Sequence, residues 1–122
     1  MKRLHTLAFT HNNVELDEIG KFHIEDAVLK ERLVSLKLNL GLNELMYLST
    51  CNRVELIFTS DQIVNKEFLY NFFNAFDASW DALQIGKAIE MAEVFQGEAA
   101  VEHIFRVASS LDSLVIGERE II

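Results

Sequence analysis

The sequence predicts an α+β domain in βαββαβ order, a split-βαβ sandwich with helices on one face of an antiparallel sheet and an additional C-terminal helix. Three observations lead to it. Short runs rich in aliphatic, aromatic and β-branched residues begin near residues 3, 45 and 54. Apolar stripes at spacings of three and four fall between and after them. Finally, no proline and only five glycines interrupt the chain, so neither a long linker nor a repeat array divides it. A second, helix-rich α+β arrangement fits the same order of elements.

Arg3 to Phe9 reads as the first strand, with Leu4, Thr6 and Ala8 on one face and His5, Leu7 and Phe9 on the other. The polar Thr10-His11-Asn12-Asn13 segment follows, then a short turn over Leu16 to Gly20. A helix is predicted for Ile24 to Leu38, where Ile24, Val28, Leu29, Leu33, Leu36 and Leu40 form one stripe and Gly41 ends it. Leu45 to Thr50 and Val54 to Thr59 read as strands joined tightly through Cys51-Asn52-Arg53. Phe68, Phe72 and Phe76 stand four apart in a helix over Val64 to Ala75, widened by Leu69 and Phe73. Ile89 to Phe95 alternates imperfectly and is taken as a fourth strand. Gly97 opens a last helix to about Ser109, with Val101, Ile104, Phe105 and Ala108 facing the core and Glu102 paired with Arg106 on the wet side. Glu120-Ile121-Ile122 looks like the start of a further helix, so the chain is expected to be a fragment of something longer.

Composition narrows the function. The 122 residues carry 11 Lys plus Arg against 19 Asp plus Glu, a net charge of −8. Residues 1–60 hold seven basic and eight acidic side chains, and residues 61–122 hold four and eleven, so −7 of the total lies in the second half. Such a chain has no broad basic field for nucleic acid, and any polynucleotide would be gripped locally. One cysteine forms no intramolecular disulfide and is too few thiols for a zinc or iron-sulfur cluster. The four histidines show no metal-ligand spacing, and no metal is expected. No apolar run reaches the ~20 residues of a membrane span and no secretory signal opens the chain, so a cytoplasmic protein is expected.

Three regions offer chemistry, each with a plain reading beside a functional one. Cys51 is the only thiol. As a lone cysteine it fits an inert, buried core position; at a strand end beside Arg53 it fits an exposed thiolate nucleophile. His103 falls about 200° around the last helix from Val101 and therefore off the apolar face. It reads as a solvent-facing helix histidine or as a proton carrier aimed at a cleft. Ser109-Ser110-Leu111-Asp112-Ser113 and Gly117-Glu118-Arg119-Glu120 read as a helix end and a cap, or as a polar rim able to hold an amino acid.

Ser49-Thr50-Cys51-Asn52-Arg53-Val54-Glu55 resembles the cysteine motif of glutamyl-tRNA reductases. The stretch from His103 through Ser113 to Glu118 resembles that family's second motif, and Thr10-His11-Asn12 resembles its histidine-containing loop after the first strand. The resemblance implies that residues 1–122 form the N-terminal catalytic domain, with a ferredoxin-like fold, and that NADPH-binding and dimerisation domains are absent from this stretch. By residue, Cys51 matches the nucleophile and His103 the histidine important for activity. Thr50, Asn52 and Arg53 match the substrate loop, Ser113 matches a substrate-contacting serine, and His11 matches the loop histidine. Glu118, Arg119 and Glu120 match a segment that the family usually writes Glu-Pro-Gln, so proline and glutamine are replaced here.

The chemistry so implied is NADPH-dependent reduction of glutamyl-tRNA to glutamate-1-semialdehyde through a cysteinyl thioester, the first step of 5-aminolevulinate and tetrapyrrole biosynthesis. Glutamyl-tRNA is the implied partner, with homodimerisation through an absent domain. No Gly-rich dinucleotide fingerprint occurs in the sequence, so NADPH is expected to bind outside these residues. The competing reading is a non-catalytic α+β interaction domain with a structural cysteine.

Overall fold

The alternation read from the sequence becomes a five-stranded antiparallel sheet in the computed structural model, which describes residues 3–111 and 118–121. In chain order the elements are β1 (Arg3–Thr10), α1 (Leu16–Gly20), α2 (Asp26–Leu40), β2 (Glu44–Thr50), β3 (Arg53–Ser60), α3 (Lys66–Phe76), α4 (Ala82–Met91), β4 (Glu93–Gln96), α5 (Glu98–Leu111) and β5 (Glu118–Ile121). The strands lie in the order β4-β1-β3-β2-β5, and every neighbouring pair is antiparallel. The first four strands thus have the ferredoxin-like order, as the βαββαβ pattern predicts, and β5 extends the sheet on the β2 side.

One sheet face carries Leu7, Phe9, Leu45, Tyr47, Val54, Leu56 and Phe58, all at or below 1% exposure. Against it pack Leu29, Leu33 and Leu36 of α2, the phenylalanines of α3, and Ile85 and Ala88 of α4. Fully burying a side chain of this size contributes about 1.5–3 kcal/mol, so this layer dominates the stability of the domain. The Phe9 and Phe22 rings stack at 3.8 Å, with Phe73, Phe76 and Trp80 around them. Tyr47 fastens the segment before α2 to the sheet: its hydroxyl accepts from the Ile24 N–H and donates to the Phe22 carbonyl, both at 3.0 Å. Ile24 is therefore core, but it precedes α2 instead of belonging to its stripe. Gly41 ends α2 in the left-handed region at φ 64°, where the Leu42 N–H closes on the Lys37 carbonyl.

Three expectations are corrected and one is made definite. Ile89 to Met91 is helix, not strand: Asp81 caps α4 by accepting from the Gln84 N–H, and Ile85 and Ala88 recur at helical spacing, leaving only Glu93–Gln96 for β4. The Leu16 to Gly20 turn, whose type the sequence leaves open, is a single helical turn that buries Ile19. The last helix turns a different face inward. Ala100, His103 and Val107 are buried, whereas Val101 is 43% and Phe105 70% exposed; the opposite sheet face offers Glu55 and Leu48 to α5, and the polar pairing outweighs the oily stripe. Lastly, Glu118–Ile121 is a strand paired with β2 and not the opening of a helix.

His5 lies in the core at 1% exposure, stacked on Phe58. Burial lowers its pKa, the Ser60 backbone opposes that shift, and Arg3 adds to it. The unfolded chain binds the proton more readily, so stability falls as pH drops below the ordinary histidine value of about 6.5. His5→Phe, which keeps a ring against Phe58, is expected to flatten the fall in melting temperature between pH 7.5 and pH 5. Equal slopes for the two proteins would reject this account.

Candidate active site

The β2–β3 hairpin closes through a two-residue turn, with Thr50 opposite Arg53 in the register. Two-residue hairpins usually take primed turns with positive φ. Here no non-glycine residue among those described has positive φ, so Cys51 and Asn52 form a turn of the kind that splays its strands. Cys51 is exposed at the tip, which removes the buried-core reading of the thiol. Thr50 donates its hydroxyl to Asn52 Oδ1 at 3.1 Å, and the His11 N–H donates to the Asn52 carbonyl at 3.1 Å. The loop after β1 therefore braces the turn from behind, while the His11 side chain is exposed.

Beyond the turn the chain changes side. Arg53 faces the α5 layer and pairs with Glu55 two residues on. Glu55 is 1% exposed on the central strand β3, and its other oxygen accepts from His103 Nε2 at 2.8 Å. A carboxylate only accepts, so His103 Nε2 carries the hydrogen of this bond. Phe95 of β4 stacks flat on the same ring, with centroids 4.0 Å apart. His103 is thus a buried, doubly held histidine, not a solvent-facing one. Glu55, the last residue of the cysteine motif, is the member that sequence reading left without a role; its position in a central strand, where an unpaired carboxylate is costly, was the available signal.

Two clefts flank the hairpin. The first, about 320 Å³, is lined by Thr10, Asn12, Arg53, Glu93, Phe95, His103, Arg106 and Val107. Thr10 is 3% exposed, and its hydroxyl has no partner among the described residues. The second, about 560 Å³, lies on the other side and contains Thr50 and Cys51 with Leu16, Ile19, His23, Ser49 and Val54. His23, which nothing in the sequence distinguished, places Nδ1 3.3 Å from Ser49 Oγ there.

The sequence-derived residues therefore divide. Arg53 and His103 share one cleft, Thr50 and Cys51 share the other, and Asn52 and His11 hold the turn between them. Glu118, Arg119 and Glu120 stand opposite Ser49, Leu48 and Tyr47, which brings the β5 backbone alongside the strand leading to Cys51. Ser113 lies outside the described residues. Among the described residues no group of three or more His, Cys, Asp or Glu could hold a metal ion, and no helix is long and apolar enough to cross a membrane.

A ferredoxin-like sheet bearing an exposed thiol on a hairpin tip, beside a buried Arg–Glu–His cluster, defines a thiol-presenting α+β domain. The chain belongs to the glutamyl-tRNA reductase family: the family described as "Glutamyl-tRNAGlu reductase, N-terminal domain" matches residues 7–122. It is 34% identical over 116 residues to the glutamyl-tRNA reductase of Staphylococcus carnosus, covering 95% of this chain and 25% of that protein. With the protein of the same name from Shouchella clausii it is 35% identical, over 98% of this chain and 26% of the relative. The solved structure of glutamyl-tRNA reductase from Methanopyrus kandleri superposes with a TM-score of 0.57 at 28% identity, covering 94% of this chain and 24% of that one. The chain thus spans about a quarter of the length of the relatives it matches.

Proposed function

We propose that this domain performs the acyl-transfer half of glutamyl-tRNA reduction, the reaction that leads through glutamate-1-semialdehyde to 5-aminolevulinate and tetrapyrroles. The observation that carries the reading is the exposed Cys51 thiol beside a cleft that pairs a guanidinium with a buried, unpartnered hydroxyl. In the step proposed, the Cys51 sulfur attacks the ester carbonyl and forms a carbon–sulfur bond. The bond from that carbon to the ribose oxygen breaks, and the proton of the thiol ends on the released ribose hydroxyl. The products are a glutamyl thioester and free tRNA.

Arg53 uses one guanidinium nitrogen on Glu55, and the rest of its donor fork is available to the glutamyl carboxylate. Thr10 adds a hydroxyl donor at the same cleft. His103, anchored by Glu55 and Phe95 on the Arg53 side, acts as a positioning residue for that carboxylate pocket. NADPH, which the complete reaction consumes, does not fit the described residues: β1 runs into Thr10-His11-Asn12-Asn13 and α1 without the glycine turn that cradles a pyrophosphate. Hydride delivery, and homodimerisation, are assigned to other parts of the longer proteins.

The reading is tested by mixing the chain with tRNA charged with labelled glutamate, denaturing, and counting label released by hydroxylamine. Label approaching one per chain on the Cys51 peptide is expected, and its absence overturns the reading. Thr10→Val sharpens it by moving two quantities in opposite directions. Removing a buried, unpaired hydroxyl should stabilise the free protein by about 1 kcal/mol. Losing a hydrogen bond to a charged group should lower kcat/KM for acylation by about tenfold or more, and Thr10→Ser should restore it. A variant less stable than the parent, or equally active, would show that Thr10 only packs.

A further inference from the structure

We infer that the second cleft, on the far side of the Cys51 turn from Arg53, is a binding site for a neutral nucleoside, the terminal ribose and purine that leave when the ester is cleaved. This rests on the acyl-transfer reading and deepens it. An aminoacyl ester is unequal about its carbonyl carbon. The acyl side is small, with an α-ammonium beside the carbonyl and a carboxylate at its far end; the alcohol side is a bulkier sugar and base with no charge of its own. A nucleophile attacking that carbon needs room for both, and the hairpin tip has a cleft on each side.

The two clefts differ as the two halves of the ester do. The Arg53 cleft is the smaller, at about 320 Å³, and holds the Arg53 and Arg106 guanidinium groups, one carboxylate, Glu93, and the unpartnered Thr10 hydroxyl. The Cys51 cleft is larger, at about 560 Å³, within the size range of small-molecule sites. Among the described residues neither Lys nor Arg lines it, while Glu25 and Asp26 do. Those carboxylates repel a second carboxylate or a phosphate, which assigns the glutamyl carboxylate to the Arg53 cleft and the uncharged sugar and base to this one. Its walls suit a base and a sugar. Leu16 is 59% exposed, an uncovered apolar side chain that offers a surface for a flat ring. The His23–Ser49 pair supplies hydrogen-bonding groups within the same cleft as the thiol. The phosphate on the 5′ oxygen of that ribose, and those before it, are left outside this cleft, in keeping with a net charge of −8.

Adenosine is the probe. In amide-resolved NMR of the chain it should shift Ile19, Gly20 and His23 but not Thr10, Phe95 or His103. The dissociation constant should be on the order of millimolar and nearly unchanged between ~50 and ~200 mM salt, since no phosphate is neutralised. Adenosine should also slow alkylation of Cys51. Leu16→Asp, at an exposed position, should weaken adenosine by about tenfold and raise KM for glutamyl-tRNA with little change in kcat. Shifts confined to the Arg53 cleft, no shifts at all, or an unchanged KM in Leu16→Asp would overturn the assignment. So would shifts at this cleft produced by nicotinamide mononucleotide and not by adenosine, which would give it to a hydride donor instead. If adenosine binds as described but the chain takes no label from charged tRNA, the acyl-transfer reading fails while the nucleoside site stands.

Discussion

Cys51→Ser is expected to leave the fold intact and to eliminate thioester formation. Cys51 sits exposed on a hairpin tip, and its sulfur-to-oxygen exchange opens no cavity, so the unfolding free energy should move by no more than an exposed substitution allows, about 0.5 kcal/mol. The chemical effect is of another size. A serine hydroxyl ionises far less readily than a thiol and is a much poorer nucleophile without a dedicated base. The described residues place no histidine bonded to the thiol; His103 is bonded to Glu55 and His23 to Ser49. Label released by hydroxylamine should therefore fall below about 0.1% of the parent under single-turnover conditions. Parental labelling of a well-folded Cys51→Ser protein would remove the thiol from the mechanism.

Glu55→Gln is expected to cost both stability and activity. Glu55 is buried between Ala8 and Leu48 in the sheet register and receives Arg53 on one oxygen and His103 on the other. Glutamine keeps the shape, but it removes the charge and turns an NH2 donor toward one of two existing donors. Breaking a buried pair by removing one partner costs about 3–5 kcal/mol. Arg53 and His103 side chains retain 16% and 10% exposure, which lets water relieve part of that, so about 3 kcal/mol is expected, a fall of roughly 10 °C or more in melting temperature. With Arg53 and His103 released, acylation measured well below the new melting point should drop about 10²-fold in kcat/KM. Glu55→Asp, which restores the charge at a shorter reach, should recover part of both. A Gln variant that melts and acylates like the parent would reduce Glu55 to a bystander.

Much of this arrangement was legible in the residues, and the failures share a cause. Cys51 and Asn52 lie between two β-rich runs, so a hairpin tip was readable from local pattern alone. Phe68, Phe72 and Phe76 repeat at a helical period against a single core, so α3 was readable too. The last helix was not, because its apolar stripe at Val101 and Phe105 is wider than the Ala100–His103–Val107 stripe it buries; the choice between them is made by Glu55, 48 residues away in sequence. Periodicity assumes that the inward face is the oily one, and a buried carboxylate needing a partner overrides it. The strand at Glu118–Ile121 exists through pairing with β2, a long-range term that four residues cannot announce. The division of Cys51 and Arg53 between two clefts was likewise hidden, since sequence neighbours at a turn leave on opposite sides only once the turn type is fixed.

The strand order also has a bearing on how the chain behaves in a crowd of its own copies. The three inner strands, of seven and eight residues, are the long and apolar ones, and strands of that kind with a free edge are templates for intermolecular pairing. Here both flanks are closed by four-residue strands, β4 beside β1 and β5 beside β2. Short outer strands give a foreign strand little to grip. β5 therefore serves the colloidal state of the protein: paired with β2, it shields the strand that leads to Cys51 from being recruited into an aggregate.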